Sequence, residues 1–294
     1  MGNRNKKGFF HHFVRIFIDN NILPSSAEMS YYLLFAFFPI LMVVYASFSL
    51  AGNVFTGFSL SSQTLHLLPQ SVEELIDIFI KHLGTKQSNL SYLLFGIFLT
   101  LYSVSRFTKS AKSKVRHLYG SKTYSNAFTE WTVSLIFSFL LIVIFFVTLF
   151  VMILGKHLLN FISGFILISD FIYRLIMILR YVLTGFVVFF VLFLFYYFIP
   201  NVRQKPLHII PGTLFTLVSW IIVSVIFTFY INNIANYSVV YGSIGAFIIL
   251  LLWFYMTSLM LLIGSIINSM IYKQWRTKQQ KYNTHRINIS ESEN

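Results

Sequence analysis

Residues 243–272 read SIGAFIILLLWFYMTSLMLLIGSIINSMIY, thirty consecutive positions without one charged side chain. A helix of about 20 apolar residues crosses the roughly 30 Å hydrocarbon core of a bilayer. In lipid a spanning segment must satisfy its own backbone hydrogen bonds, which makes this stretch a helix. Five further runs of the same character lie upstream: Met29–Ala51, Leu90–Ser105, Trp131–Leu154, Phe171–Ile199 and Leu207–Ile231. The expected fold class is therefore all-α, a polytopic membrane bundle of about six transmembrane helices with short interfacial amphipathic helices. Leu90–Ser105 is the shortest run and is expected to continue into the polar stretch after it. The apolar run from Met29 reads as a retained first span rather than a cleaved leader.

Composition agrees. Of 294 residues, 56% are hydrophobic and 11% charged, whereas soluble domains carry about 25% charged residues. Cysteine is absent, which excludes disulfides and thiolate metal sites or nucleophiles.

The net charge of +13 suggests nucleic acid until the cations are placed. Arg4, Lys6, Lys7 and Arg15 precede span one. Arg106, Lys109, Lys112, Lys114, Arg116 and Lys122 follow span two, Arg203 and Lys205 follow span four, and Lys273, Arg276, Lys278, Lys281 and Arg286 follow span six. These fall on one side of the membrane, against Lys81, Lys86, Lys156 and Arg174 on the other. By the positive-inside rule the basic side is cytoplasmic, with both termini. Cations so placed attract anionic headgroups by about 1 kcal/mol each. The expected partners are membrane lipids, with anionic headgroups at the cytoplasmic face, and not nucleic acid. Oligomeric state does not follow.

Three segments outside the spans are amphipathic. Phe9, Phe10, Phe13, Val14, Phe17 and Ile18 share a helical face opposite His12 and Arg15, which suits a helix on the inner leaflet ended by Pro24. Ser71–Leu83 carries an apolar stripe behind a Ser71/Glu74 capping box. In Arg106–Tyr119, Phe107, Ala111, Val115 and Leu118 recur at helical spacing among basic residues, and Gly120 is a C-cap candidate. That basic helix reads as a membrane-surface element or as a contact for an anionic substrate. Residues 1–275 are expected to form one membrane domain, and 276–294 a disordered polar cytoplasmic tail.

No zinc helix, nucleophile elbow or phosphate loop is present, and the eight His are scattered. No catalytic residue, metal or cofactor is expected. The informative positions are polar groups at membrane depth, where charge is costly and usually has a role. Arg180 lies inside span four, roughly 12 Å from its outer end; an anion contact in a cavity and a snorkelling side chain both fit it. Asp170 and Arg174 fit an i,i+4 ion pair. Glu28 caps span one or pairs with Arg106. Asn232, Asn236, Tyr237 and Tyr241 belong to an uncharged, amide-rich loop between spans five and six that could supply hydrogen bonds at a cavity mouth. Pro39, Pro200 and Pro211 are candidate breaks in spans one, four and five.

Four motifs in order carry a family resemblance. Ala27-Glu28-Met29-Ser30-Tyr31-Tyr32-Leu33-Leu34 through Phe38-Pro39 opens the series. Tyr102-Ser103-Val104-Ser105-Arg106 with Leu118-Tyr119-Gly120 follows, then Phe198-Ile199-Pro200-Asn201 with Pro211-Gly212. Asn236-Tyr237, Tyr241-Gly242-Ser243-Ile244-Gly245 and Leu252-Trp253-Phe254-Tyr255 close it. Over about residues 8–275 the chain resembles the YihY/BrkB family. The resemblance implies a bacterial cell (cytoplasmic) membrane protein with six spans and no settled catalytic residues. A ribonuclease label used for some members does not suit these residues. Other members are linked to serum resistance or to transport of lipids or lipid-linked glycans. Where the family usually has an acid near the end of span six, this chain has Ile267-Asn268. The leading expectation is a transporter or flippase of an amphiphilic, anionic substrate, and not an enzyme. The alternative is a non-transporting scaffold or accessory protein of envelope biogenesis.

Overall fold

The computed structural model describes residues 3–50, 90–121, 128, 132, 134–139, 141–142, 170–233 and 243–292. Six helices and a short turn run through them: α1 (Asn3–Asp19), α2 (Ile22–Leu50), α3 (Leu90–Tyr119), α4 (Asp170–Phe198), the 3-10 turn Pro206–His208, α5 (Ile210–Asn233) and α6 (Ser243–Ser292). No strand occurs among the described residues. The fold is an all-helical membrane bundle.

Helix ends follow local chemistry. Gly120, at φ 65°, closes α3. Its N–H donates to His117 O at 3.0 Å and that of Ser121 to Arg116 O at 3.1 Å, the paired bonds of a Schellman cap. Asn21, at φ 48°, separates α1 from α2. Pro24, expected to end the first helix, instead lies in the first turn of α2, where a missing N–H costs nothing. Pro200 and Pro211 likewise break no span. The first follows α4 and the second is the second residue of α5. Pro39 alone of the three candidates lies inside a helix.

Span one, expected over Met29–Ala51, lies within α2 as far as Leu50; Phe171–Ile199, Leu207–Ile231 and Ser243–Tyr272 correspond to α4, α5 and α6. Leu90–Ser105 is the apolar half of α3, which continues without a break through its basic half. Trp131–Leu154 lies mostly outside the described residues, and Ser71–Leu83 lies wholly outside them. Among the described residues three stretches are long and apolar enough to span: Ile22–Val43, Pro206–Tyr230 and Ile244–Tyr282. Val182–Phe198 is a shorter apolar helix.

The tail beyond residue 275, expected to be disordered, continues α6 to Ser292. No Gly or Pro follows Gly264 before that point, and Lys, Arg and Gln are good helix formers.

Outward faces are apolar. Leu214, Val218, Ile221, Ile222, Val225, Ile226 and Phe229 of α5 are all exposed. In water each would cost about 1 kcal/mol or more at such exposure. Together they would rival the roughly 5–15 kcal/mol stability of a whole domain. Against hydrocarbon the cost vanishes, so the fold requires a lipid surround.

The larger core sits at the basic end. Met29, Phe107, Ala111, Val115, Leu118, Tyr196, Ile199, Leu262, Ile266 and Met270 pack there, with Phe13, Ile16 and Phe17 of α1 against them. The basic half of α3 is therefore not a surface helix. Its apolar stripe is buried as its spacing predicts, and Lys112 and Arg116 are buried with it, at 5% and 7% exposure. The helix is drawn inward because it is the rigid continuation of a span. A smaller cluster (Leu34, Phe227, Ile249, Leu250, Phe254) joins α2, α5 and α6 farther along.

Candidate functional site

Two polar features meet at the basic end. The first is a seam inside the bundle. Gly212 of α5 and Gly264 of α6 approach so closely that a Cβ on Gly212 would overlap the Gly264 carbonyl oxygen and the Asn268 side chain. Small residues permit such contact between membrane helices. Polar groups line the crossing. The Gly212 N–H, near the N-terminus of α5, donates to Asn268 Oδ1 at 2.8 Å, satisfying a donor that no helix turn reaches. Tyr196 is fully buried and donates to Leu261 O at 2.8 Å. It also hydrogen-bonds with Thr216 Oγ1 at 2.7 Å.

The second feature is the capped end of α4. Arg116 Nε donates to Ile199 O at 3.2 Å, and Gln204 Nε2 donates to Tyr196 O at 2.8 Å. Both serve carbonyls that the helix leaves open, at its negative dipole end. Lys112 Nζ donates to Ser134 Oγ at 3.2 Å and Lys114 Nζ to Asn20 O at 2.6 Å. Burial pushes the Lys114 ammonium below the usual lysine range, and the Glu28 carboxylate partly offsets this. Burial raises the Tyr119 hydroxyl well above its ordinary value, so it stays neutral.

Beyond the capped end opens a cavity of about 620 Å³, lined by Tyr197, Phe198, Asn201, Val202, Arg203, Gln204, Lys205 and Trp275. The loop turns at Asn201, at φ 52°, which brings residues 201–205 under α6. Lys205 Nζ stands 6.0 Å over the Trp275 ring, and His208 packs on the same ring at 5.0 Å. Arg203 and Lys205 are exposed, Gln204 is buried, and none of the eight lining residues is acidic. The cavity thus offers two cations, the Asn201 amide and aromatic walls beside an apolar rim that includes exposed Phe198. Such a site suits an anionic, amphiphilic ligand.

The virulence factor BrkB family description matches residues 13–288. The chain belongs to that family. Among BrkB relatives, the ribonuclease-like protein YfkH of Bacillus subtilis (strain 168) is 28% identical over 253 residues, 85% of this chain and 90% of YfkH. The UPF0761 membrane protein xcc-b100_3490 of Xanthomonas campestris pv. campestris (strain B100) is 25% identical over 269 residues, 87% of this chain and 58% of that protein. The UPF0761 membrane protein Nmul_A0452 of Nitrosospira multiformis is 33% identical over 85 residues, 28% of this chain and 20% of its own length. No solved structure matches this BrkB chain.

Of the site residues read from the sequence, Glu28 and Arg106 have side chains among the described residues. Arg180 lies in α4, and its side chain is outside the described set, as are those of Asn232, Asp170 and all of Asn236, Tyr237 and Tyr241. Arg106 is exposed and donates from Nη2 to Tyr102 Oη, one turn earlier, at 3.1 Å. The pairing with Glu28, one of the two readings the sequence allowed, is not among the ion pairs of the described residues. Glu28 lies beside Lys114 instead, two turns farther along α3, because the antiparallel offset of α2 and α3 sets which turns meet. Among the described residues the ion pair is Arg15–Asp19 at 3.4 Å, and no three His, Asp or Glu gather as metal ligands. The sequence marked Arg203 and Lys205 only as topological charges and Asn201 only as part of a family motif, and Gln204 and Trp275 carried no signal of their own. The available signal was a polar segment held between Pro200 and Pro206 directly after an apolar run.

Proposed function

We propose that this BrkB-family protein is a transporter or flippase of an anionic amphiphile in the bacterial cytoplasmic membrane, with six spans and both termini cytoplasmic. The carrying observation is the cavity with Arg203 and Lys205, placed where the basic end of the bundle meets its apolar faces. Anionic headgroups concentrate beside such cations, and a buried polar seam of Tyr196, Thr216 and Asn268 lies within the bundle. Membrane lipids are the partners in this reading, and no catalytic step is involved.

The test is a scrambling assay in proteoliposomes with fluorescent phosphatidylglycerol and phosphatidylcholine. Protein-dependent movement of the anionic lipid is expected, slowed several-fold by the double variant Arg203→Ala/Lys205→Ala. Absence of movement for both lipids would remove the transport reading. A second reading, a scaffold or accessory protein of envelope biogenesis, draws on α6, whose exposed residues from Arg276 to Tyr282 run on past the bundle. It predicts no flux, with specific crosslinks from that segment to other membrane proteins.

A further inference from the structure

The headgroup class can be read from what lies beside the two cations, on the proposal above that the cavity takes an anionic amphiphile. A volume of about 620 Å³ lies within the roughly 300–1,000 Å³ of sites that enclose drug-sized ligands, so it admits more than a phosphate. Lys205, over the Trp275 ring, and Arg203 on the same loop can meet phosphate oxygens. The remaining polar lining is neutral. Asn201 is exposed and its amide both donates and accepts. Gln204 spends Nε2 on the end of α4, and its buried Oε1 has no hydrogen-bond partner. That acceptor is closed off from the cavity, so the amide open to a ligand is that of Asn201. An ammonium headgroup would find no carboxylate among the lining residues and two repelling cations. A hydroxyl would find the Asn201 amide.

We infer that the cavity selects a phosphodiester lipid whose headgroup carries neutral hydroxyls, of the glycerol or inositol type, with Arg203 and Lys205 taking the phosphate and the Asn201 amide a hydroxyl. Native mass spectrometry of the full chain tests this by competition among four lipids: phosphatidylglycerol, phosphatidylinositol, phosphatidylethanol and phosphatidylcholine. Phosphatidylethanol carries the same charge as the first two and no headgroup hydroxyl. One of the two polyol lipids is expected to be retained over it by about five- to tenfold, the worth of one or two neutral hydrogen bonds. Which of the two leads distinguishes glycerol from inositol. Asn201→Gly keeps the left-handed backbone of that turn and removes the amide. It should shrink the polyol preference and leave phosphatidylethanol retention unchanged. Equal retention of all three anionic lipids over phosphatidylcholine would overturn the hydroxyl assignment and leave the anionic reading standing. A polyol preference untouched by Asn201→Gly would overturn this site. No preference over phosphatidylcholine would overturn both.

Discussion

Tyr196 shows how a single polar atom is accommodated inside an apolar bundle. Its hydroxyl joins α4 to α5 through Thr216 and to α6 through Leu261, so three helices share one oxygen. Tyr196→Phe keeps the ring and removes the bonds. It is expected to lower stability by about 1 kcal/mol, since interhelical hydrogen bonds in membranes are worth about 0.6–2 kcal/mol. A thermal melt in detergent reads this, and an unchanged midpoint would assign the seam's cohesion to packing alone. Arg180 is a different case. A charge within a span usually has a role, and Arg180→Ala is expected to reduce lipid movement while folded yield holds. Equal movement by the variant would remove Arg180 from the mechanism. Residue-scale reading succeeded where the cause is local. Gly120 caps α3 as its position implied. Reading failed for Glu28 with Arg106, because a pairing between helices depends on an offset that neither helix encodes.

At the scale of elements, α5 and α6 cross where neither side can carry a Cβ. A methyl on Gly264 would meet Thr216 Oγ1 and lie 2.5 Å from Tyr196 Oη and 2.8 Å from the Gly212 carbonyl oxygen. Gly264→Ala is therefore expected to cost about 3 kcal/mol, the upper end for overpacked sites, seen as lost monodisperse yield. Gly185, in α4, has open space around its absent Cβ. Gly185→Ala should be neutral or stabilise by up to about 1 kcal/mol through helix propensity. If both substitutions behave alike, the crossing is looser than described. The same contrast explains what was legible. Apolar run lengths located α4, α5 and the start of α6 within a few residues, whereas α2 begins before its apolar run and α6 continues well past its own. The depth at which α3 is buried was not legible, since its basic half has the composition of a surface helix. Lys112 and Arg116 enter the interior because partners there, Ser134 and the Ile199 carbonyl, receive them.

For the whole molecule, the testable quantity is orientation. Arg276, Lys278 and Lys281 are exposed on the extended part of α6, a helix of 50 residues and about 75 Å by helical rise. With that end cytoplasmic, trypsin should remove the tail in inverted membrane vesicles and spare the tail in sealed right-side-out ones. The reverse pattern would turn the molecule over and place the Arg203/Lys205 cavity on the outer face. Cleavage limited to the tail, leaving the bundle intact, is expected as well, because α6 past residue 275 is exposed where described.

By itself the sequence determined the medium, the secondary structure and the distribution of charge. Those follow from run length, the need for internally satisfied backbone bonds in lipid, and the sparsity of Asp, Glu, Lys and Arg. The four ordered motifs determined the family. Only the tertiary structure decided which polar groups face one another. It seated Asn268 on the Gly212 N–H, closed the end of α4 with Gln204 and Arg116, and set Lys205 over Trp275 across 70 positions of sequence. Periodicity reports which face of a helix is apolar. The partner of each polar atom depends on the offset, rotation and depth at which that face is packed, and these are properties of the assembled bundle.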